Sequence, residues 1–360
     1  MDTNQDKKKV VLSGIRATGN LHLGNYYGAL NKFVRMQDDY DCRFFIADLH
    51  ALTTHPDPAM LHANVKSILA EYLAAGLDPE KNILYVQSDV PEISEMYLLM
   101  NMHAGIGELM RTASFKDKAR KALGIAKPGA GADDDDIEKE IIGNNHNKSV
   151  NAGLLTYPTL MAVDILIHHA DFVPVGKDQE QHLELTRRFG RRFNSFYKTD
   201  YFSEPVNFNF GGQAVKVPGL DGSGKMGKSE GNCIYLIDDE KTLRKKVMRA
   251  VTDQGPQEPN STPTEPIQNL FTLMELVSDP STLEHFKQAY ADCSIRYGDL
   301  KKQLAEDILK VTLPIRERIL DLRDNDEYLS KVVRRGAEQA REVAAKTLRE
   351  VREIMGIRKF

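Results

Sequence analysis

The stretch VVLSGIRATGNLHLGNYYGAL, residues 10–30, constrains the fold more than any other part of the chain. Its apolar opening at 10–12 predicts a buried strand, and a turn of small residues at 13–20 follows it. Leucines and tyrosines then recur at helical spacing, which predicts a helix beginning within 22–25. A strand that enters a helix through such a turn leaves backbone N–H groups and the positive end of the helix dipole free to bind phosphate.

The first turn of this predicted helix carries an imidazole, a glycine and an amide, namely His22, Gly24 and Asn25. His22 and Asn25 are three residues apart, so they share one face of the helix and can contact one ligand. Gly24 allows a ligand to approach the backbone closely. The turn lacks the G-x-G-x-x-G pattern of dinucleotide sites. Taken alone, the motif is equally compatible with an ordinary capped turn between a strand and a helix.

Predicted strands and helices alternate along the first half of the chain. The strands fall at residues 44–47, 82–87 and 172–175, and the helices at 58–75, 91–111 and 158–168. Such alternation predicts a parallel sheet with right-handed crossovers, and thus an α/β, Rossmann-like catalytic domain. Ligands of these sheets bind at the carboxyl ends of the strands. We therefore expect Asp48, His50 and the loop 176–179 on the same rim as His22.

Asp164 is the one charged residue of an otherwise apolar predicted helix. Met161 lies one turn earlier on the same face. Burial of a lone carboxylate is costly unless a hydrogen-bond donor meets it. Asp164 must therefore pair inside the protein or accept a hydrogen bond from a ligand, and we favour the ligand because buried ionisable groups concentrate at functional sites.

A glycine-rich stretch around residues 211–232 predicts a mobile loop. Residues 222–229 match the phosphate-loop pattern G-x4-G-K-[ST], but Pro218 precedes them and an extended segment follows, whereas a phosphate loop joins a strand to a helix. The loop nevertheless carries Lys225 and Lys228, and two ammonium groups on a mobile loop suit a polyphosphate whose charge shifts during a reaction.

The remaining segments differ in character from the alternating region. Residues 117–149, with four consecutive aspartates, predict an exposed insertion. Helical periodicity from residue 238 onward predicts an all-helical domain over 237–360, next to a catalytic domain over 1–236. The last thirty residues hold nine Lys or Arg against four Glu, a net charge of +5. This basic end can contact RNA phosphates or form a solvated helix face.

Composition excludes several classes of protein. The net charge of −4 gives no global basic field, so any contact with RNA requires a local patch. The three cysteines are far apart and lack C-x-x-C spacing, which argues against a structural metal, an iron–sulfur cluster and a disulfide framework. The chain has neither an apolar signal segment nor a membrane-length apolar run. We therefore expect a cytoplasmic enzyme or binding protein.

Two motifs together suggest a family. TGNLHLGN near the first strand and KMGKS about 200 residues later resemble the two signatures of class I aminoacyl-tRNA synthetases. The segments SGIRATG, IADLHALTT, TYPTLMAVDIL and DFVPVGKDQEQHLELTRRF resemble the tryptophanyl-tRNA synthetases of the bacterial type. The similarity extends from Val10 to Tyr235 and continues weakly through the helical tail.

This resemblance implies a two-step reaction. The carboxylate of L-tryptophan attacks the α-phosphate of ATP, and the acyl group of the resulting adenylate passes to the terminal adenosine of tRNA(Trp). It also implies Mg²⁺ bound with ATP, a homodimer, and a C-terminal domain that binds the tRNA anticodon. The implied catalytic residues are His22, Asn25, Lys225, Lys228 and Ser229. The implied ATP-binding set adds Arg16, Ala17, Thr18, Gly24, Gly176, Lys177, Asp178, Val217, Met226 and Gly227. The implied tryptophan-binding residues are Asp164, Met161, Tyr157, His50, Gln179, Val173 and Val175.

The chemistry of Asp164 supports this resemblance independently, because the indole nitrogen only donates a hydrogen bond and an ionised carboxylate only accepts one. Arg16 stands where many relatives have Gln, and Gly227 replaces the usual Ser of the lysine-rich loop. Asn25 stands where many class I enzymes have a second His, although this family often carries an amide there. Three alternatives stay open. They are a tyrosyl-tRNA synthetase, a phosphate-loop NTPase that uses residues 222–229, and an RNA-binding or regulatory protein with a retired synthetase fold.

Overall fold

A five-stranded parallel sheet lies at the centre of the fold, in the order β3-β2-β1-β4-β5. The computed structural model describes residues 8–124, 150–176, 179–208 and 216–357. The strands are β1 (Val10–Arg16), β2 (Asp41–Ala47), β3 (Ile83–Val86), β4 (Phe172–Val173) and β5 (Val206–Asn207). The predicted Rossmann-like α/β fold is confirmed. The strand order reverses between β1 and β4, which is where sheets of this type bind ligands.

β1 is longer than predicted. Ser13 and Gly14 were expected in a turn, but the ladder with β2 continues past them until Arg16 pairs with Ala47. A glycine is required within this strand because a Cβ at Gly14 would lie 2.6 Å from the ring of Phe45. The turn therefore begins at residue 17, and the end of β1 itself faces the ligand rim.

Helices connect the strands on both faces of the sheet. Between β1 and β3 they are α1 (Leu23–Asn25), a π-helical turn (Tyr26–Leu30), α2 (Asn31–Met36), α3 (Asp48–Ala51) and α4 (Pro58–Ala74). Between β3 and β5 they are α5 (Glu92–Asn101), α6 (Ile106–Met110), α7 (Ala113–Leu123), α8 (Ala152–Ile167) and α9 (Glu180–Tyr197). The single helix predicted over 91–111 is thus two helices, α5 and α6, with an interruption that includes Gly105.

The predicted exposed insertion over 117–149 is wrong in its first part. Residues 117–123 belong to α7, which buries Phe115 and Ala119 against Leu154 of α8. Despite its charged composition, α7 is an amphipathic helix, with Phe115 and Ala119 on one buried face. Residues 125–149 lie outside the described part of the chain.

The sheet separates two hydrophobic clusters because successive side chains of a strand point to opposite faces. Phe44 and Ile46 join the cluster that contains α4, whereas Phe45 and Ala47 join the cluster that contains α5, α8 and α9. Both faces of the strands are therefore covered, and the carboxyl edge of the sheet is left for the site.

Between residues 237 and 357 the structure contains helices joined by loops and no strand. These helices are α10 (Glu240–Met248), α11 (Glu265–Val277), α12 (Pro280–Ala291), α13 (Tyr297–Arg323) and α14 (Asp326–Ile354). α13 packs against α4, and α14 packs against β3. A Cβ at Gly336 would lie 1.8 Å from the carbonyl oxygen of Leu84, so α14 approaches the sheet at backbone distance. The division at residue 236 stays a prediction.

Within the described ranges, no helix has the length and apolar character needed to cross a membrane. Cys42, Cys233 and Cys293 are free thiols, and the first two are buried.

Candidate active site

The turn after β1 is held by backbone geometry and by its own side chains. Gly19 has a φ of 103°, a left-handed conformation that glycine adopts without strain. The N–H of His22 donates to Oδ1 of Asn25 at 3.1 Å, which closes the first turn of α1. A Cβ at Gly24 would lie 2.8 Å from the imidazole of His22. Gly24 is therefore needed first for the histidine ring, a contact that the spacing of the motif did not reveal.

His22 is neutral near pH 7. Burial, together with the ammonium groups of Lys228 and Lys225, lowers the pKa of its imidazole to about 4. Its Nδ1 is buried without a partner among the described residues. The ring also contacts the ring of Tyr235 edge to face, with centroids 6.4 Å apart. The imidazole is thus fixed in place and keeps one nitrogen without a protein partner.

The KMGKS loop lies directly against this turn. Nζ of Lys228 donates to the carbonyl oxygen of Gly19 at 2.8 Å. The segment behind the loop pairs with the turn, because the N–H of Leu23 donates to the carbonyl of Ile234 at 2.9 Å. The two motifs, about 200 residues apart in sequence, therefore form one site.

Asn232 connects both ends of this loop. Its Oδ1 accepts from the N–H of Gly227 at 2.9 Å. Its Nδ2 donates to Oδ1 of Asp221 at 2.9 Å and to the carbonyl oxygen of Lys225 at 3.1 Å. These bonds give the described residues of the loop a defined shape, although residues 209–215 of the predicted mobile region lie outside the described part.

A cavity of about 520 Å³ lies between the turn and the loop. Its lining includes Arg16, Thr18, His22, Gly24, Asn25, Val217, Lys225, Met226, Gly227 and Lys228, all expected to bind ATP. Ala17 is buried beneath the turn, and Ser229 is exposed with its hydroxyl donating to Glu230 at 3.0 Å, so neither lines this cavity. Lys177 and Asp178 lie outside the described residues.

A second cavity, of about 400 Å³, lies beside the first and is mostly apolar. All seven residues expected to bind tryptophan line it: His50, Tyr157, Met161, Asp164, Val173, Val175 and Gln179. Gly176, expected near ATP, lines this cavity as well. Tyr157, Met161 and Asp164 of α8 line one side of this cavity, and Val173 at the end of β4 lines another. Ligands of such sheets bind at the carboxyl ends of the strands.

Asp164 is 1% exposed, and its carboxylate has hydrogen-bond partners within the protein. Its Oδ2 accepts from Nε2 of His50 at 3.0 Å, and Nε2 of Gln87 lies 2.9 Å from both carboxylate oxygens. Burial raises the pKa of Asp164, and the bonds from His50 and Gln87 oppose that rise. We expected a ligand, and not the protein, to supply the hydrogen-bond donor for this carboxylate. That expectation is wrong as stated, because His50 and Gln87 both supply donors. Four acceptor positions on a carboxylate leave room for a further donor.

Arg16 lies where the two cavities meet, because Gly14, Ile15 and Arg16 line both. Its Nε is buried and has no acceptor among the described residues. A buried guanidinium N–H without a partner is costly, and an anion supplied by a ligand would satisfy it. The junction therefore suits a carboxylate or a phosphate.

The sequence did not identify Lys118 of α7 as a site residue. It lines the second cavity, and its Nζ lies 3.8 Å from the centroid of the Tyr157 ring. Burial and the nearby Arg16 lower its pKa to about 8. Lys118 was overlooked because it falls in the segment that we interpreted as an exposed insertion.

The phosphate-loop alternative does not fit the observed backbone. Residues 228–230 form a single 3-10 turn, and 216–219 before the loop are not a strand. A phosphate loop requires a strand on one side and a helix on the other.

Three of the seven described basic residues of the tail form ion pairs within the protein. Arg335 forms an ion pair with Glu80, Arg341 with Glu92, and Arg352 with Glu95, which ties α14 to the surface near β3 and α5. Lys331 lies near the same Glu80 and attracts its carboxylate, whereas Arg334, Lys346 and Arg349 form no ion pair with another described residue.

Three comparisons with known proteins extend these observations. A family model described as tRNA synthetases class I (W and Y) matches residues 4–312. A tryptophan–tRNA ligase from Porphyromonas gingivalis is 59% identical over 350 residues, which cover 97% of this chain and all of that protein. A solved structure of tryptophanyl-tRNA synthetase from Campylobacter jejuni, complexed with ADP and tryptophan, has a TM-score of 0.80 and 31% identity, and the match covers 96% of this chain and 99% of that one.

A tyrosyl-tRNA synthetase from Archaeoglobus fulgidus also matches, with a TM-score of 0.60 and 18% identity over 88% of this chain and 91% of that one. At that identity the similarity concerns the fold alone.

Proposed function

The chain belongs to the tryptophan–tRNA ligases, a family of class I tRNA synthetases, and on this premise we propose how its two cavities perform the reaction. The protein attaches L-tryptophan to tRNA(Trp) in an ATP-dependent reaction through a tryptophanyl-adenylate. The observation that carries the residue assignments is the meeting of a cationic cavity and an apolar cavity at residues 14–16.

ATP occupies the cavity between the turn and the loop. Lys225 and Lys228 neutralise the β- and γ-phosphates as negative charge develops on the leaving pyrophosphate. His22 supplies a neutral imidazole, since its pKa of about 4 keeps it uncharged near pH 7. Val217, which is buried in the wall of the cavity, packs beside the adenine. Mg²⁺ that enters with ATP would be held by phosphate oxygens and water, because no carboxylate is among the described lining residues.

Tryptophan occupies the apolar cavity with its indole N–H directed at Asp164. Met161, Val173 and Val175 surround the ring, and an acceptor-only carboxylate matches a donor-only nitrogen. The carboxylate of tryptophan then points toward Arg16, where the two cavities meet. Holding both reactants at this junction converts their encounter into a reaction within one complex.

The test is amino-acid-dependent ATP–pyrophosphate exchange with each of the twenty amino acids. We expect exchange with tryptophan and not with tyrosine. Exchange with tyrosine would remove Asp164 from its role toward indole and favour the sister enzyme. A folded protein that binds ATP but supports no exchange would favour the retired-synthetase alternative.

The protein acts as a homodimer through an exposed apolar patch around His103. Met102 and Phe196 in this patch are 70% and 71% exposed, and the ring of His103 contacts that of Phe196. Such a patch at the surface is typical of an interface. Light scattering should show a dimer for the native protein and for Met60→Glu, an exposed methionine elsewhere. Met102→Glu should give a monomer, and an unchanged dimer would refute this assignment.

Two further assignments are proposals of the same kind. Arg334, Lys346 and Arg349 of α14, together with the predicted domain over 237–360, contact tRNA phosphates. Three free thiols suit a reducing compartment, which supports a cytoplasmic location.

A further inference from the structure

Glu71 is a buried acid to which no role has been given above. It lies in α4, and its side chain is 0% exposed. Its Oε2 accepts from the backbone N–H of Leu21 at 2.9 Å, whereas its Oε1 is buried without a partner among the described residues. An ionised carboxylate in such surroundings is costly. Its position at the turn that lines the nucleotide cavity therefore calls for a functional explanation.

Glu71 and Lys228 hold the same turn. Lys228 bonds the carbonyl oxygen of Gly19, and Glu71 bonds the N–H of Leu21 two residues later. The two groups also attract each other: the ammonium favours the ionised carboxylate, and the carboxylate favours the charged ammonium. Lys228, which lines the cavity between the turn and the loop, therefore also interacts with a buried carboxylate.

Few other charged groups act on Glu71. Arg323, from α13, attracts the ionised carboxylate. Asp326 of α14 pairs with Lys66 of α4 at 2.6 Å, on a more exposed part of the helix. His22, next to Leu21, is neutral. Lys228 is therefore the one cation near Glu71, among the residues described, that also lines the nucleotide cavity.

We propose that Glu71 is a positioning residue for ATP. Its ionised carboxylate holds the 17–22 turn and Lys228 in place. When the polyphosphate of ATP becomes the counter-charge of Lys228, the carboxylate of Glu71 takes up a proton. This inference rests on the proposed function, because it takes ATP to be the ligand of the turn. The proton comes from solvent, the new bond is the O–H bond of the Glu71 carboxyl, and ATP itself is unchanged.

The direction of the proton movement follows from charge. Burial raises the pKa of Glu71 to about 8, so near pH 8 the carboxyl of the free protein is partly ionised. The phosphates of ATP add negative charge nearby and draw on Lys228, and both effects raise this pKa further. A glutamate that served merely as an acceptor for Leu21 would keep its protonation state when ATP binds.

The test compares the native protein with Glu71→Gln, which keeps an acceptor oxygen for Leu21 but cannot titrate. Glu80→Gln, at an exposed glutamate, is the matched control. Binding of Mg-ATP without tryptophan is measured near pH 8 by calorimetry in two buffers of different ionisation enthalpy, which counts protons. An infrared difference spectrum with and without ATP detects the C=O band of a protonated carboxyl.

We expect the native protein and Glu80→Gln to take up a fraction of a proton and to gain the carboxyl band. Glu71→Gln should bind ATP without either signal. From pH 7 to 9 the ATP affinity of the native protein should fall relative to that of Glu71→Gln, by up to roughly tenfold for each unit by which ATP raises the pKa. In Lys228→Met, at saturating ATP, the band should also be lost, because Glu71 without its counter-charge stays protonated in both states.

ATP binding without the carboxyl band in the native protein, or with the same band in Glu71→Gln, overturns the inference while the proposed function stands. If the native protein binds no ATP, the proposed function fails and the inference fails with it. The two failures are therefore distinguishable.

Discussion

Replacement of Asp164 by asparagine tests the tryptophan site with the smallest change in shape. The carboxylate accepts from His50 and from Gln87, and we assign the indole N–H as a third donor. An asparagine side chain has one acceptor oxygen, and its NH2 group faces groups that also donate. It cannot satisfy all three donors, so the indole or a buried protein group is left without an acceptor.

The magnitude follows from the type of bond that is lost. A hydrogen bond to a charged acceptor contributes about 1.5–3 kcal/mol, which corresponds to a roughly 12- to 160-fold rise in the Kd for tryptophan. A buried donor left unsatisfied costs about 1–3 kcal/mol of folding stability as well. The Kd for ATP should change little, because Asp164 does not line the nucleotide cavity.

The assay measures the fluorescence of bound tryptophan. Because the chain contains no Trp, the fluorescence of bound tryptophan reports its own affinity. Asp171→Asn is the matched control, since that carboxylate pairs with Lys9 outside both cavities. Urea unfolding of both variants verifies that they are folded. Native affinity for tryptophan in Asp164→Asn would refute our assignment of the indole partner.

Three further outcomes are expected. Lys228→Ala should slow adenylate formation at least tenfold in single-turnover measurements and leave the Kd for tryptophan unchanged; a change confined to tryptophan affinity would contradict a phosphate role for Lys228. Burial, aided by Arg43 and His169, lowers the pKa of His168 to about 3. Its stabilising contribution is thus complete above the unfolded-state pKa of about 6.5 and is lost as the pH falls toward 3, at up to about 1.4 kcal/mol per pH unit, and His168→Asn should flatten the pH dependence of urea unfolding. Gly336→Ala should lower the Tm by several degrees, because the added Cβ meets the carbonyl of Leu84, whereas Gly298→Ala, in open space, should not.

Much of the fold could be inferred from short-range patterns. The helix at 58–75 and the strand at 82–87 were predicted to within one residue at each end, since apolar patterns report which face of an element is buried. The strand at 44–47 lacked the first three residues of β2. The errors fell where packing overrides local pattern. Ser13 and Gly14 extend β1 because β2 pairs beside them, and α7 is ordered against α8 despite its charged composition.

The candidate site divides in the same way. The sequence alone pointed to the turn at 17–25, the lysines of the KMGKS loop and the lone carboxylate of Asp164 as candidate site residues, because each places a reactive or charged group where a strand ends or within an apolar segment. Glu71 carries the same signal as Asp164, a single acid in the apolar run ILAEYLAA, and it was overlooked. What the tertiary structure alone decided is which groups meet: Lys228 with Gly19, Asp164 with His50 and Gln87, and Arg16 with both cavities. Contacts between residues tens to hundreds of positions apart depend on strand order and helix packing, which no local periodicity encodes.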